Sequence, residues 1–372
     1  MSFPSTVLVY EFFSGGGCPA EEMPVGLAAE ALGMLWALLT DFRRWGRVRT
    51  ITALDSRFEE RIPGLNRKTL PADHVFSVSQ SDGKEVYLSL LNRCDAAIII
   101  GPETDGVLAW LTTQAEMAGI PVLGSCSSAV ATAGDKAACH EIFTNANLPN
   151  PVTNVATFES ARQVAEETGC PLVVKPVDGV GSEGVYLVAC ISDLPAALAS
   201  VRRITSHNQI LIQSFADGTH VSVSLLAAAG RTLPLSLNRQ LIEVGSPFKY
   251  FGSEVPLDHR ACGLGVELAC SAVSLIPGLN GYVGVDLVLT EDYAQLIEVN
   301  PRLTTSYIAL RQVTSVNLAK SISEACLTGI LPDRVPLSGR AVIRKDDPDS
   351  WNLAFKLGTP PFRRSNNGSS KS

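Results

Sequence analysis

The stretch Val173–Val185, VVKPVDGVGSEGV, decides how the rest of this chain is read. Leu172, Val173 and Val174 form the pattern of a short buried strand that delivers Lys175. A loop carrying Gly179, Gly181, Ser182 and Gly184 follows. Glycines permit close backbone approach, so successive N–H groups can converge on phosphate oxygens while the lysine adds a point charge. In a G-x-x-x-x-G-K-[ST] loop the lysine follows the glycines and opens a helix, whereas here it precedes them, and G-x-G-x-x-G does not fit either. Taken by itself the segment reads equally as a nucleotide-phosphate loop or as a glycine-rich hairpin with a surface lysine. Residues elsewhere must decide.

The 372 residues are 46% hydrophobic and carry a formal charge of −7. That length allows two or three domains with packed cores. There is no basic block, so neither nucleic acid nor a membrane is an expected partner. Nine cysteines (18, 94, 126, 139, 170, 190, 262, 270 and 326) are dispersed without a C-x-x-C pair. This suits reduced thiols in a cytoplasmic protein better than a disulfide framework or a zinc site. No signal peptide is expected, because Glu11 directly follows the apolar Thr6–Tyr10 and no basic segment precedes it. The longest apolar helical pattern, Val25–Leu39, contains Glu30 and is too short to span a membrane.

Val7–Tyr10 reads as a buried strand that runs into Ser14, Gly15, Gly16 and Gly17 and then into a helix from about Pro24. In a doubly wound sheet such a loop lies at the carboxyl end of a strand, where ligands bind; these glycines either admit a substrate or relax a turn. The substrate reading is preferred. Arg49–Leu54, Asp95–Ile100 and Pro121–Gly124 read as further strands with helical patterns between them, so residues 1–125 are expected to form a Rossmann-like α/β domain. Ser127–Asn147 reads as one helix holding Lys136, whose simplest role is a solvated salt bridge. Two more helices are expected at Ser160–Thr168 and Asp193–Ser206. Gln209–Phe215 and His220–Leu226 read as a hairpin paired with Thr232–Asn238, and Arg239–Pro256 as a long loop over a site. Leu264–Leu275 and Val313–Thr328 read as helices, Arg340–Arg344 as a last strand, and residues 366–372 as a disordered tail.

Gly281–Leu289 and Gln295–Asn300 flank a short turn and read as antiparallel partners. Glu298 and Asn300, two residues apart, leave the strand on one face, and the turn allows Asp286 to lie opposite them. Three such oxygen donors suit Mg²⁺, and unpaired carboxylates on a face of Val, Ile and Leu would otherwise be costly. The alternative is that Asp286 and Glu298 pair with Arg302, Arg311 or another base.

Lys136, the Lys175–Gly184 segment, QSFADGTHVSVSLL, and Asp286 with Glu298-Val299-Asn300-Pro301-Arg302 occur in the order that resembles ATP-grasp ligases. The resemblance covers roughly residues 125–330. It implies an ATP-grasp fold behind a Rossmann-like pre-ATP-grasp domain: residues 1–125, a small subdomain over 126–206, a central subdomain over 207–345, and an extension over 346–372. It also implies that Lys136 and Lys175 contact ATP phosphates and that Gly181, Ser182 and Gly184 close over them. Gln213, Ser214 and Phe215 would sit at the adenine hinge with His220 nearby. Asp286, Glu298 and Asn300 would hold Mg²⁺, with Mn²⁺ as an alternative ion. Arg302 would face the carboxylate substrate, and Arg239 would bind a carboxylate or phosphate. Gln213 and His220 stand where glutamates are common in the family, which puts the nucleoside contacts at issue.

VLVYEFFSGGG, SLNRQ, YFG and EVNPR most resemble the tyramine–glutamate ligase family of methanofuran and methylofuran biosynthesis. This implies small-molecule substrates, glutamate and tyramine or tyrosine, joined through an acyl phosphate, and it admits a homodimer. Another amino-acid or dipeptide ligase, or an ATP-binding regulatory module, are the competing readings.

Overall fold

The computed structural model describes residues 3–19, 23, 25–79, 83–180 and 184–347. β1 (Thr6–Glu11) leads into α1 (Val25–Trp45), β2 (Arg49–Asp55), α2 (Ser56–Arg61), β3 (His74–Val78), α3 (Gly83–Leu91), β4 (Ala96–Ile100) and α4 (Val107–Met117). The four strands form a parallel sheet in the order β3-β2-β1-β4, so the winding reverses between β1 and β4. β1 is buried along its whole length, as a strand covered on both faces must be. β3 was not foreseen, because this edge strand, HVFSV, buries only its last residue and carries little apolar signal. Pro121–Gly124 contributes a single bridge, Val122 to Ala97, rather than a full strand.

α1 is longer than the apolar pattern that announced it. Its length and composition match a membrane span, but 78% of its most apolar window is buried inside the protein. The expected helix over Ser127–Asn147 is two, α5 (Ser127–Gly134) and α6 (Lys136–Asn145). Asp135 separates them: its backbone is extended and its carboxylate accepts from the Ala137 and Ala138 N–H groups, capping α6.

β5 (Thr153–Thr157), α7 (Ala161–Thr168), β6 (Leu172–Pro176), β7 (Tyr186–Val188), α8 (Leu194–Val201) and β8 (Gln209–Ser214) build a small antiparallel sheet ordered β5-β8-β6-β7. β9 (Thr219–Ala228), β10 (Arg231–Glu243), β11 (Lys249–Val255), α9 (Cys262–Ser274), β12 (Gly281–Leu289), β13 (Ala294–Asn300), α10 (Ser306–Val313), α11 (Leu318–Thr328) and β14 (Ala341–Arg344) complete the chain. Their strands form a six-stranded antiparallel sheet ordered β13-β12-β9-β10-β11-β14.

Three expectations are corrected. The Gln209–Leu226 hairpin does not exist: β8 is paired on both edges by β5 and β6, and β9 by β10 and β12, so the connection crosses between two sheets. Gly218 makes that crossing with φ +152°, where a Cβ would lie 2.5 Å from the Leu289 carbonyl oxygen. Arg239–Pro256 is not a long loop but the continuation of β10 and its partner β11, with Arg239 opposite Glu254. The helix expected over Val313–Thr328 begins only at Leu318, capped by the Asn317 side chain, while Val313 is the last residue of α10.

The first sheet and the six-stranded sheet are joined through α1. Asp41, buried on α1, accepts from Arg311 at 2.6 Å and from the Tyr307 hydroxyl at 2.8 Å. Glu30 on the same helix pairs with Lys345 at 2.5 Å and accepts from Thr305 at 2.6 Å. Breaking a buried pair leaves a stranded charge, so Arg311→Met is expected to lower stability by about 3–5 kcal/mol in urea unfolding. A loss under about 1 kcal/mol would show that this contact does not hold the units together.

Candidate active site

The three sheets meet at a cleft of about 180 Å³ lined by residues of all three. From the small sheet, β6 presents Lys175, which is 4% exposed and donates to the Gln213 side-chain oxygen at 3.0 Å. From α6, the Lys136 ammonium reaches the Glu298 carboxylate at 2.6 Å and the Gly179 carbonyl at 3.0 Å. From the central sheet, β12 and β13 set Asp286 directly opposite Glu298 and Gly284 opposite Asn300. The Asn300 amide donates to Asp286 at 3.3 Å, and Gln240 also hydrogen-bonds to Asp286.

Residues directly opposite in an antiparallel ladder leave it on the same face, so Asp286 and Glu298 project together, and the register shifts only after Asp286. Two carboxylates facing each other in a buried site cannot both ionise freely. Burial and the Glu298 charge push the Asp286 carboxyl up, whereas Glu298, also raised by burial, is held well below the usual range by Lys136. Lys175 is pushed down to about 8 by burial and then by the Lys136 charge. The donor set of two carboxylates and an amide oxygen suits a hard divalent cation, whose charge would remove the conflict between Asp286 and Glu298.

Arg302 lines the same cleft but is tied to Glu103 at 2.8 Å, and its buried Nε has no partner among the described residues. It does not pair with Asp286 or Glu298, and Arg311 is engaged by Asp41. The alternative of a paired carboxylate therefore holds for Glu298, whose base is Lys136 rather than either arginine, and among the described residues not for Asp286. Nor is Lys136 the solvated lysine of its simplest reading, since only 12% of its side chain is exposed.

Gln213, Ser214, Phe215 and His220 line the cleft where β8 crosses to β9. The Gln213 amide also donates to Thr153 at 2.6 Å, and the Ser214 and Phe215 N–H groups bond to the Val152 and Pro171 carbonyls. His220 packs edge-on against Phe248, and burial pushes its pKa down. Gly184 is described, with φ +74°; Gly181 and Ser182 lie outside the described residues.

Two expected groups are not brought to the cleft. Arg239 is exposed on β10, and its neighbour Gln240 faces inward in its place. Ser14, Gly15, Gly16 and Gly17 form a tight turn beneath the cleft wall: Gly15 and Gly17 bond back to Glu11 and Phe12, and a Cβ on Gly17 would strike the Phe12 ring at 2.3 Å. The turn-relaxing reading of those glycines is the one that the packing supports. Glu11, ending β1, does line the cleft. Its position at the carboxyl end of the first strand was the signal available for it.

Residues 133–306 match the profile of the ATP-grasp domain and residues 48–130 that of the pre ATP-grasp 3 domain. A tyramine–L-glutamate ligase of Methanocaldococcus jannaschii is 32% identical over 256 residues, 69% of this chain and 70% of that one. The chain belongs to the ATP-grasp family. A Methanocaldococcus fervens ligase of the same name is 32% identical over 244 residues, covering 64% of this chain and 71% of its own. Among solved structures, the L-amino acid ligase of Bacillus licheniformis superposes with a TM-score of 0.68 at 18% identity, over 92% of this chain and 80% of that one. The biotin carboxylase of Campylobacter jejuni gives 0.71 at 15%, over 92% and 75%. The protein is an ATP-dependent ligase of the carboxylate–amine kind.

A buried lysine whose pKa is depressed is carried in the folded state at a cost below that pKa. The folded chain binds fewer protons than the unfolded one between about 8 and the ordinary lysine value, so wild-type stability rises with pH across that window. Lys175→Met removes the cost. The ligand-free variant is expected to be more stable than wild type at pH 7, by up to about 3 kcal/mol, with the gap closing between pH 8 and 10 in urea titrations. A variant less stable than wild type at pH 7 would overturn the assignment of Lys175 as a strained charge.

Proposed function

We propose that the chain catalyses ATP- and Mg²⁺-dependent amide formation between the γ-carboxylate of glutamate and the amine of tyramine or tyrosine, as a step in making a methanofuran- or methylofuran-type cofactor. The observation that carries this reading is the convergence in one cleft of Lys136, Lys175, the facing pair Asp286 and Glu298, and the unpartnered Arg302 Nε. The naming of the 32%-identical relatives supports the choice of substrates.

A carboxylate is a poor electrophile toward an amine. ATP with Mg²⁺ supplies the phosphoryl group that converts it to an acyl phosphate, with ADP released and phosphate as the later leaving group. Lys175 and Lys136 take the role of holding phosphate oxygens, each from a rigid element, so that little reorganisation is needed as charge develops. Asp286, Glu298 and Asn300 take the role of metal ligands. The Arg302 guanidinium, fixed by Glu103 at the edge of the cleft, takes the role of facing the substrate carboxylate. Enclosure among three sheets keeps water from the activated carbonyl.

The test is the mass of the product formed with ATP, Mg²⁺, glutamate and either tyramine or tyrosine. An ion at the mass of the γ-amide, with one ADP per amide, is expected. Glu298→Gln should lower kcat by roughly 100-fold or more while leaving the far-ultraviolet spectrum unchanged. Amide formation with other amines or amino acids alone would place the chain among ligases of different substrate. No ADP release with any carboxylate and amine would favour a regulatory nucleotide-binding role.

A further inference from the structure

The six acidic side chains that are buried among the described residues are Glu11, Glu30, Asp41, Asp55, Glu103 and Glu254. Five of them have a basic partner: Lys345, Arg311, Arg57, Arg302 and Arg340 respectively for the last five. Glu11 has none within ion-pair distance among those residues. It is 1% exposed, and its two oxygens accept the Phe13 and Ser14 N–H groups, at 3.0 and 2.7 Å, neither of them a cation. A carboxylate acceptor with spare lone pairs, buried and lining a cleft, is costly unless a ligand supplies the cation.

The surroundings narrow what that ligand is. Glu11 stands at the β1–β4 reversal, beside Gly101 and Pro102 at the end of β4, where a doubly wound sheet opens its binding crevice. In the same cleft, α1 presents Leu27, Ala31 and Met34 at spacings of four and three, one face of a helix, together with Glu30, whose charge is already met by Lys345, and Phe13 adds an aromatic wall. A carboxylate next to an apolar wall fits a molecule with one ammonium and an apolar body. Glutamate has no such body.

We propose that Glu11 and the Leu27–Ala31–Met34 face of α1 form the subsite for the amine acceptor, with Glu11 receiving its ammonium group and the apolar face its aryl or alkyl body. The inference rests on the ligase reading above. An amine attacks only after it sheds a proton, and burial pushes the Glu11 carboxyl up to about 7, against the pull of the Ser14 and Phe13 contacts and of Arg302. The count closes as follows. Glu11 takes one proton from the ammonium; the neutral amine forms the C–N bond as the C–O bond to phosphate breaks; the departing phosphate takes the second proton.

Hydroxylamine separates the two halves of the cleft, because it captures an activated carboxylate as a hydroxamate and is neutral at pH 7. Glu11→Gln should raise KM for the amine by about tenfold or more, the loss of one charged hydrogen bond, and lower kcat for amide formation by loss of the proton acceptor, while hydroxamate formation from glutamate, ATP and hydroxylamine, which brings no ammonium, stays within about threefold of wild type. Gln forms one of the two N–H contacts of Glu11, so a second variant guards against a disturbed turn. Leu27→Trp narrows the apolar side from a half-buried position and should discriminate against aryl amines with hydroxamate formation retained. Equal loss of hydroxamate and amide in both variants, or unchanged KM for the amine in both, overturns the acceptor subsite. Absence of hydroxamate from the wild-type protein with every carboxylate would instead overturn the ligase reading on which it rests.

Discussion

The Lys136–Glu298 ion pair is the contact on which the cleft depends. Its ammonium comes from the first turn of α6, its carboxylate from β13, and the same ammonium donates to the Gly179 carbonyl in the loop after β6. One side chain thus links the small sheet, the central sheet and the helix between them. The Asp135 cap matters for this reason: by breaking α5 from α6, it starts a helix at Lys136 and aims that residue inward. A continuous helix would have carried the lysine at an arbitrary angle, and the simplest reading of it as a solvated charge would have stood.

Where the chemistry-bearing residues lie on regular strands, their positions were legible. The turn between β12 and β13 predicts that Asp286 faces Glu298, and the ladder places them directly opposite. Parity along β10 was not legible, because Gly245, Ser246, Pro247 and Gly252 make the segment look like a loop. Once it is a strand, alternation sends Arg239 to solvent and Gln240 to Asp286. The Gln209–Leu226 hairpin failed for a related reason. Two adjacent strands with a glycine between them satisfy the local rule for a hairpin, and only the competition from β5, β6, β10 and β12 for their edges decides otherwise. Local pattern carries strand identity; partner choice is tertiary.

The ionisable groups divide into two populations with different physics. Those joining the first and central sheets are paired and closed: Glu30 with Lys345, Asp41 with Arg311. Those facing the cleft are left in deficit or conflict. Asp286 opposes another carboxylate, Lys175 is buried against a like charge, and among the described residues Arg302 keeps a bare Nε and Glu11 has no cation. A protein that neutralises its buried charges elsewhere shows by contrast where it has not done so.

This contrast also ranks the cleft groups by what they await. Asp286 and Lys175 are opposite in sign and both shifted toward neutrality by burial, so a cation and a phosphate arriving together would restore both charges, each offsetting the other's desolvation. Glu11 lies outside that exchange, because it belongs to β1 of the first sheet and no basic residue of the central sheet reaches it at contact distance among the described residues. Its charge calls for a third ligand group that is cationic, and a ligase that joins a carboxylate to an amine brings one. On the reading proposed above, Glu11 stands apart from the Lys136–Glu298 centre because nucleotide and metal are assigned to the space between the small and central sheets, and the acceptor to that between the central sheet and the carboxyl end of the parallel one.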